Sequence, residues 1–295
     1  MDDLWEAGYP GGYSRGGFQP SRDRPTASPA SDLSGPRSAA DYSLSAKRSL
    51  SAANISLNKY IAASGRCSRR EADVLIRAGR VTVNGEVATL GNRVGKRDRV
   101  AVDGQPVGRK PNAVWLAYHK PVGVTCTTDR RDPDNIVDAV GYPGRVFPVG
   151  RLDKMSEGLI WLTNDGDEVN KILRAANEHE KEYVVTVDRA VSRAFLRQVA
   201  EGVYLPGLRQ STRPAYVEQL GPKTFRIVIV QGLNRQIRRM CEVLEYRVRR
   251  LRRVRIMHME LGGLEAGVAR DFSPAEVREL KALLRGSSGA PAGRR

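Results

Sequence analysis

Apolar positions along this chain change register several times, and the changes divide it into segments. Residues 1–53 show no sustained period; Gly, Ser, Pro and Ala dominate, and the segment reads as a disordered extension. From residue 54 a helical period sets in. Leu57, Tyr60 and Ile61 fall on one helix face, and Ser64-Gly65 stops that helix. Ser68 and Glu71 form a capping-box pattern that opens a second helix, with Ala72, Leu75 and Ile76 as its apolar side and Gly79 at its end. The period then drops to two. Val81 and Val83 run into Asn84-Gly85, and Val100 and Val102 run into Asp103-Gly104, both hairpin signals. Residues 54–108 therefore predict two short helices followed by a few strands.

After a polar link at residues 109–112, a longer pattern spans residues 113–285. Strands are expected at residues 114–117, 145–149, 159–163, 181–187 and 225–230. Helices are expected at residues 135–140, around Val169, Ile172 and Leu173, and over residues 192–200. Another has Ile237, Met240, Cys241 and Leu244 on one side, and a last one starts at Ser273-Pro274 and runs to about Leu284. Residues 247–256 alternate arginine with Val, Leu and Ile, which predicts a strand with a very basic face. The doublets Arg249-Arg250 and Arg252-Arg253 break strict period two, so a bulge is expected there. Residues 286–295 read as a tail.

Charge narrows the partners. The chain of 295 residues carries a formal net charge of +16. The extension holds six basic and six acidic residues, so the whole excess belongs to residues 54–295. Such a surplus points to a polyanion. No apolar run approaches a membrane span, and the N-terminus lacks a basic-then-apolar secretion pattern. Cys67, Cys126 and Cys241 are odd in number and far apart, and His119, His179 and His258 stand alone, which suits neither a disulfide framework nor a zinc site. A monomer in a reducing cytoplasm, without metal or cofactor, is the expectation.

Candidate chemistry centres on residues 150–166. Asp153 stands between Arg151 and Lys154, on a loop just ahead of the apolar run at residues 159–163, and Asn164-Asp165-Gly166 closes that run with a turn. The flanking cations are expected to keep Asp153 ionised; the plainer alternative is a turn aspartate bonded to its own backbone. Arg66, Arg69 and Arg70 cluster where the second helix begins, a place suited to RNA phosphates. No dinucleotide or phosphate loop is present, and no paired acid–base groups suggest phosphodiester hydrolysis. A lone carboxylate suits nucleophilic attack on carbon, or removal of a proton from an activated group.

Several segments resemble known families. Leu57-Asn58-Lys59-Tyr60-Ile61 and Cys67-Ser68-Arg69-Arg70-Glu71-Ala72 resemble the S4-type RNA-binding domain. Lys120-Pro121-Val122-Gly123, Gly150-Arg151-Leu152-Asp153, Lys181-Glu182-Tyr183 and Gly232-Leu233-Asn234-Arg235-Gln236-Ile237-Arg238-Arg239-Met240, in that order, resemble the RsuA/RluB/RluE/RluF family of pseudouridine synthases. Asn170-Lys171-Ile172-Leu173-Arg174-Ala175 and the segment from His179 look most like its RluF branch, which acts on 23S ribosomal RNA. The resemblance implies an α+β chain, with a small S4-like domain followed by a mixed, largely antiparallel sheet flanked by helices. It implies that Asp153 is the catalytic aspartate, that Tyr183 stacks on the target base and is a candidate for proton transfer at C5, that Arg238 pairs with Asp153, and that Arg151 helps hold the flipped-out nucleotide. Lys120 and Arg235, inside matched motifs, are expected to contact RNA together with Arg66, Arg69 and Arg70. Trp161, where smaller aliphatics are usual, is expected to fill core space.

Overall fold

The computed structural model describes residues 55–174 and 177–287. The extension expected over residues 1–53 lies outside them, as does the expected tail from residue 288.

In the first module, β1 (Ile55–Ser56) leads into α1 (Leu57–Ala63), and α2 (Arg69–Arg77) follows. The capping box forms as expected: the Ser68 hydroxyl accepts the Glu71 N–H, and the Glu71 carboxylate accepts the Ser68 N–H at 2.6 Å. Strands β2 (Val81–Val83), β3 (Glu86–Val87), β4 (Arg93–Val94), β5 (Val100–Val102) and β6 (Gln105–Pro106) complete the module. Asn84 and Gly85 have φ of +55° and +93°, and Asp103 and Gly104 +53° and +73°. Tight two-residue hairpins need this left-handed pair, which is why these residue types stand there. Leu57, Ile61, Ala72 and Ile76 meet Val81, Val94, Val100 and Val102 in one small core.

The larger part runs β7 (Trp115–Lys120), α3 (Ile136–Val140), β8 (Phe147–Val149), β9 (Glu157–Thr163), α4 (Gly166–Leu173), β10 (Lys181–Val187), α5 (Arg193–Glu201) and β11 (Tyr204–Leu205). It continues with β12 (Gln210–Ser211), β13 (Tyr216–Gly221), β14 (Thr224–Ile229), α6 (Gln236–Val243), β15 (Val248–Ile256), β16 (Met259–Glu260), β17 (Ala269–Asp271) and α7 (Pro274–Leu283). Nine of these strands form one sheet in the order β13-β14-β10-β15-β9-β7-β17, with β8 added to β9 and β16 to β15. Only β9 and β15 run parallel; every other pairing in the sheet is antiparallel. The fold is therefore α+β, with a mixed and largely antiparallel sheet behind an S4-like module.

Strand β9 shows why a continuous apolar run was needed. Leu159, Ile160, Trp161 and Leu162 are all fully buried. Ile160 and Leu162 face a core shared with Phe195 and Val199 of α5 and Ile237 and Met240 of α6. Leu159 and Trp161 face the opposite core, with Ile172 of α4 and Leu280 of α7. Trp161 fills space as expected: Phe272 lies 5.3 Å away in an edge-on contact, and Trp115 lies 6.5 Å away. The turn after β9 also joins the modules. Asp165 caps α4 and takes Lys110 at 2.9 Å, and Asp167 takes Lys59 of α1 at 2.5 Å. No helix among the described residues is long and apolar enough to cross a membrane.

The parallel contact is very close. Gly158 of β9 has φ +111°, and a Cβ placed on it would lie 2.2 Å from the Arg253 carbonyl oxygen of β15. Gly158→Ala should therefore destabilise the protein by about 3 kcal/mol or more, from backbone strain and a forced separation of the strands. Urea unfolding measures this; a loss below about 1 kcal/mol would mean that β9 and β15 can part easily.

Candidate active site

Asp153 sits on the loop between β8 and β9, and backbone contacts fix that loop. Leu152 is buried as its anchor, and the Leu152 N–H donates to Cys126 Sγ at 3.3 Å. The Ser156 N–H donates to the Asp153 carbonyl at 2.9 Å, and the Gly123 N–H to the Lys154 carbonyl at 2.8 Å. The Asp153 carboxylate stays about one-third exposed. The expectation that Arg151 and Lys154 flank it electrostatically is corrected in part: Lys154 turns away to Asp134, at 2.8 Å. Sequence neighbours on a turn point apart, so adjacency did not mean contact.

The cations that do face Asp153 come from α6. Arg235 Nη1 is 3.5 Å from Asp153 Oδ2, and Arg238 Nε is 3.8 Å from the same oxygen. Arg238 is largely buried and braced: its Nη2 donates to the Met155 carbonyl at 2.8 Å and to Ser156 Oγ at 3.1 Å. Burial, then the charge of Arg235, pull the Arg238 guanidinium below its usual value, while Asp153 pulls it back up. Arg235 has φ +51° at the N-cap of α6. A non-glycine residue in that region is strained by about 1 kcal/mol or more, and here the strained residue carries a side chain that reaches Asp153.

A cleft of about 620 Å³ opens beside this pair, and among the described residues Asp153 is the only carboxylate lining it. Arg151, Tyr183, Arg235, Leu233, Ile237 and Leu251 share the lining. The structure thus brings Asp153, Arg151, Tyr183, Arg235 and Arg238 to one place. It does not bring Arg66, Arg69 and Arg70 there; they are exposed on the first module, where Arg66 Nη2 donates to the Val102 carbonyl at 3.2 Å. Lys120, expected on the RNA surface, is corrected outright. It is fully buried, and its ammonium donates to the carbonyls of Pro121 at 2.7 Å and Val124 at 2.8 Å. Burial pulls the Lys120 ammonium below its ordinary value. Its work is to fold the chain back behind Asp153, because a buried cation must spend its donors on nearby carbonyls.

Sequence reasoning missed Arg253. The basic strand is not uniformly basic on one face. Arg250 pairs with Glu157, and Arg255 with Glu180 and Glu182, each of the latter at 2.9 Å. Between Arg255, opposite Glu182, and Arg253, opposite Tyr183, the register slips by one residue. The expected bulge is there, and its extra residue is Val254. Without it, Val254 would stand beside Tyr183; with it, Arg253 does. Arg253 is 3% exposed, lines the cleft, and donates through Nε to the Leu159 carbonyl at 2.7 Å. The broken alternation of the doublets was the only signal in the sequence, and it could not say which arginine turned inward.

This arrangement, an S4-like module ahead of a mixed sheet whose cleft holds one carboxylate among arginines and a tyrosine, defines an RNA-modifying synthase. Residues 114–243 match the family described as RNA pseudouridylate synthase, and residues 56–100 match the S4 domain. The chain is 50% identical over 237 residues to the dual-specificity RNA pseudouridine synthase RluF of Escherichia coli, spanning 80% of this chain and 81% of that one. It is 37% identical over 234 residues to ribosomal large subunit pseudouridine synthase B of Bacillus subtilis, spanning 77% and 96%. A crystal structure of a pseudouridylate synthase superposes with a TM-score of 0.57 at 29% identity, covering 77% of this chain and 99% of that one. The chain belongs to the RNA pseudouridine synthase family, in the branch that carries an S4 domain, and is an enzyme.

Lys181 lines the same cleft, with its Nζ donating to the His179 carbonyl at 2.8 Å. Burial, then the charge of Arg253, lower it to about 8 from 10.5. Between those two values the unfolded chain holds a proton that the folded chain has released, so stability contributed by this group rises with pH across the window and is lowest below it. Amine acylation followed by mass spectrometry should show Lys181 half-reactive near pH 8. Half-reaction near the ordinary lysine value would mean that the cleft does not perturb it.

Proposed function

We propose that this enzyme converts a uridine of ribosomal RNA, in the large-subunit 23S RNA, to pseudouridine, with Asp153 as the essential carboxylate. The observation that carries the reading is Asp153 itself, alone among the described lining residues in bearing a carboxylate and faced by Arg235 and Arg238. The Bacillus subtilis relative, named for the ribosomal large subunit, supports the choice of RNA. Residues 54–108 and 113–285 act as an RNA-holding domain and a catalytic domain.

Uridine within RNA hides its glycosidic bond, so the nucleotide must be flipped out, at a cost of a few kcal/mol. An aromatic platform returns about 1–3 kcal/mol per base, and Tyr183 is that platform. Arg151 and Arg235, exposed at the rim, hold phosphates of the flipped nucleotide and its neighbours. Arg66, Arg69 and Arg70 add affinity at a distance. Asp153 attacks carbon of the sugar or base, or removes a sugar proton, and the bond from C1′ to N1 breaks. The freed ring turns in the cleft and rejoins through C5. Arg238 keeps the carboxylate aimed.

Asp153→Asn should lower isomerisation on the order of 10⁴-fold or more while RNA affinity stays within a few-fold. Activity within tenfold of wild type would remove Asp153 from the mechanism. Tyr183→Phe should retain RNA binding, and Tyr183→Ala should lose about a further 1–3 kcal/mol of it; equal binding by both would return Tyr183 to a core role. Mapping pseudouridines in 23S, 16S and transfer RNA from cells with and without the gene tests the substrate. One site lost from 23S RNA is expected, and unchanged 23S maps would overturn that assignment.

A further inference from the structure

Arg253 is a buried cation without a counter-ion. It is 3% exposed, and among the described residues no carboxylate lies within ion-pair distance of it. Its Nε is used by the Leu159 carbonyl. Its Nη1 lies 3.5 Å from the Tyr183 hydroxyl, and its guanidinium carbon 6.0 Å from the centre of that ring. Its Nη2 is buried and has no hydrogen-bond partner among the described residues. The neighbouring cation in the cleft, Lys181, donates to the His179 carbonyl, its only hydrogen-bond partner among the described residues. An unpaired buried charge is costly, and the fold goes out of its way to seat this one. The Val254 bulge turns it inward, and Gly158 lets β9 approach the Arg253 backbone where no Cβ fits.

Resting on the isomerisation proposed above, we propose that Arg253 provides the positive charge that stabilises the uracil ring while it is detached, or detaching, from the sugar. When the C1′–N1 bond breaks, its electron pair stays with the ring and spreads to O2 and O4. When C5 bonds to C1′, those electrons form the new bond, the C5 proton leaves to a base, and N1 takes up a proton. The product is an isomer and needs no co-reactant. Throughout the interval the ring is anionic, in a cleft where Asp153, the only carboxylate among the described lining residues, is already faced by Arg235 and Arg238. A fixed cation beside the stacking tyrosine acts on that charge without reorganising. It also explains why a charge is kept where an apolar residue would pack: the missing partner forms only during the reaction.

The test compares a poor and a good leaving ring in short RNA substrates, uridine and 5-fluorouridine, by single-turnover disappearance of the starting nucleoside. Fluorine withdraws charge, so the fluorinated ring needs less help. Arg253→Met should lose about a hundredfold on uridine and at most about tenfold on 5-fluorouridine, with RNA affinity unchanged and a urea midpoint equal to or above that of wild type. Arg253→Gln, which keeps a donor for the Leu159 carbonyl but not the charge, should show the same split and carries the comparison if the Met variant folds poorly. Arg253→Lys should restore the wild-type ratio of the two substrates. Equal losses on both substrates, or no loss, would overturn the inference and leave Arg253 a structural residue. A wild-type enzyme inactive on every uridine RNA would instead defeat the proposed isomerisation.

Discussion

The cleft beside Asp153 depends on one close contact between backbones, where β9 and β15 run parallel at Gly158 and Arg253. This is the only parallel pairing in the sheet. It joins β7, β8 and β9 to β10, β14 and β13, and the loop bearing Asp153 enters β9 directly beside it. The space is so tight that glycine is required. Through it the position of Asp153 is tied to the position of Arg253, and through β10 to that of Tyr183. A shift of a strand by one residue would exchange inward and outward side chains across the whole site.

Around that contact the protein has gathered positive charge and left much of it uncompensated. Elsewhere several arginines pair with carboxylates: Arg80 with Asp103, Arg270 with Glu276, Arg255 with two glutamates. In the cleft, Asp153 is shared between two arginines at ion-pair distances too long for strong hydrogen bonds, while among the described residues Lys181 and Arg253 have carbonyl and hydroxyl partners only. Charge left uncompensated in this way is costly to bury and leaves the cleft suited to an anion.

The S4-like module is attached by few charged contacts, Lys59 to Asp167 and Lys110 to Asp165. Exposed pairs of this kind contribute little and weaken with salt. The module has its own small core, apart from the two cores on either side of the larger sheet.

Local physics determined a good deal from the sequence alone. The Ser68–Glu71 box, the Asn84-Gly85 and Asp103-Gly104 turns, the doubly buried run of β9 and the helix presenting Ile237, Met240 and Cys241 all follow from spacing and residue type, and so does the exposure of Asp153 on a loop before a rigid strand. The segments around Asp153, Tyr183 and Arg238 were recognisable because they are contiguous. The tertiary structure alone decided that Lys120 is buried, that Lys154 leaves Asp153 for Asp134, and that Arg253 rather than Val254 stands beside Tyr183. Spacing along a strand says which residues share a face. It does not say which neighbour covers that face, nor where a bulge shifts the count by one, because both are set by strands distant in the chain.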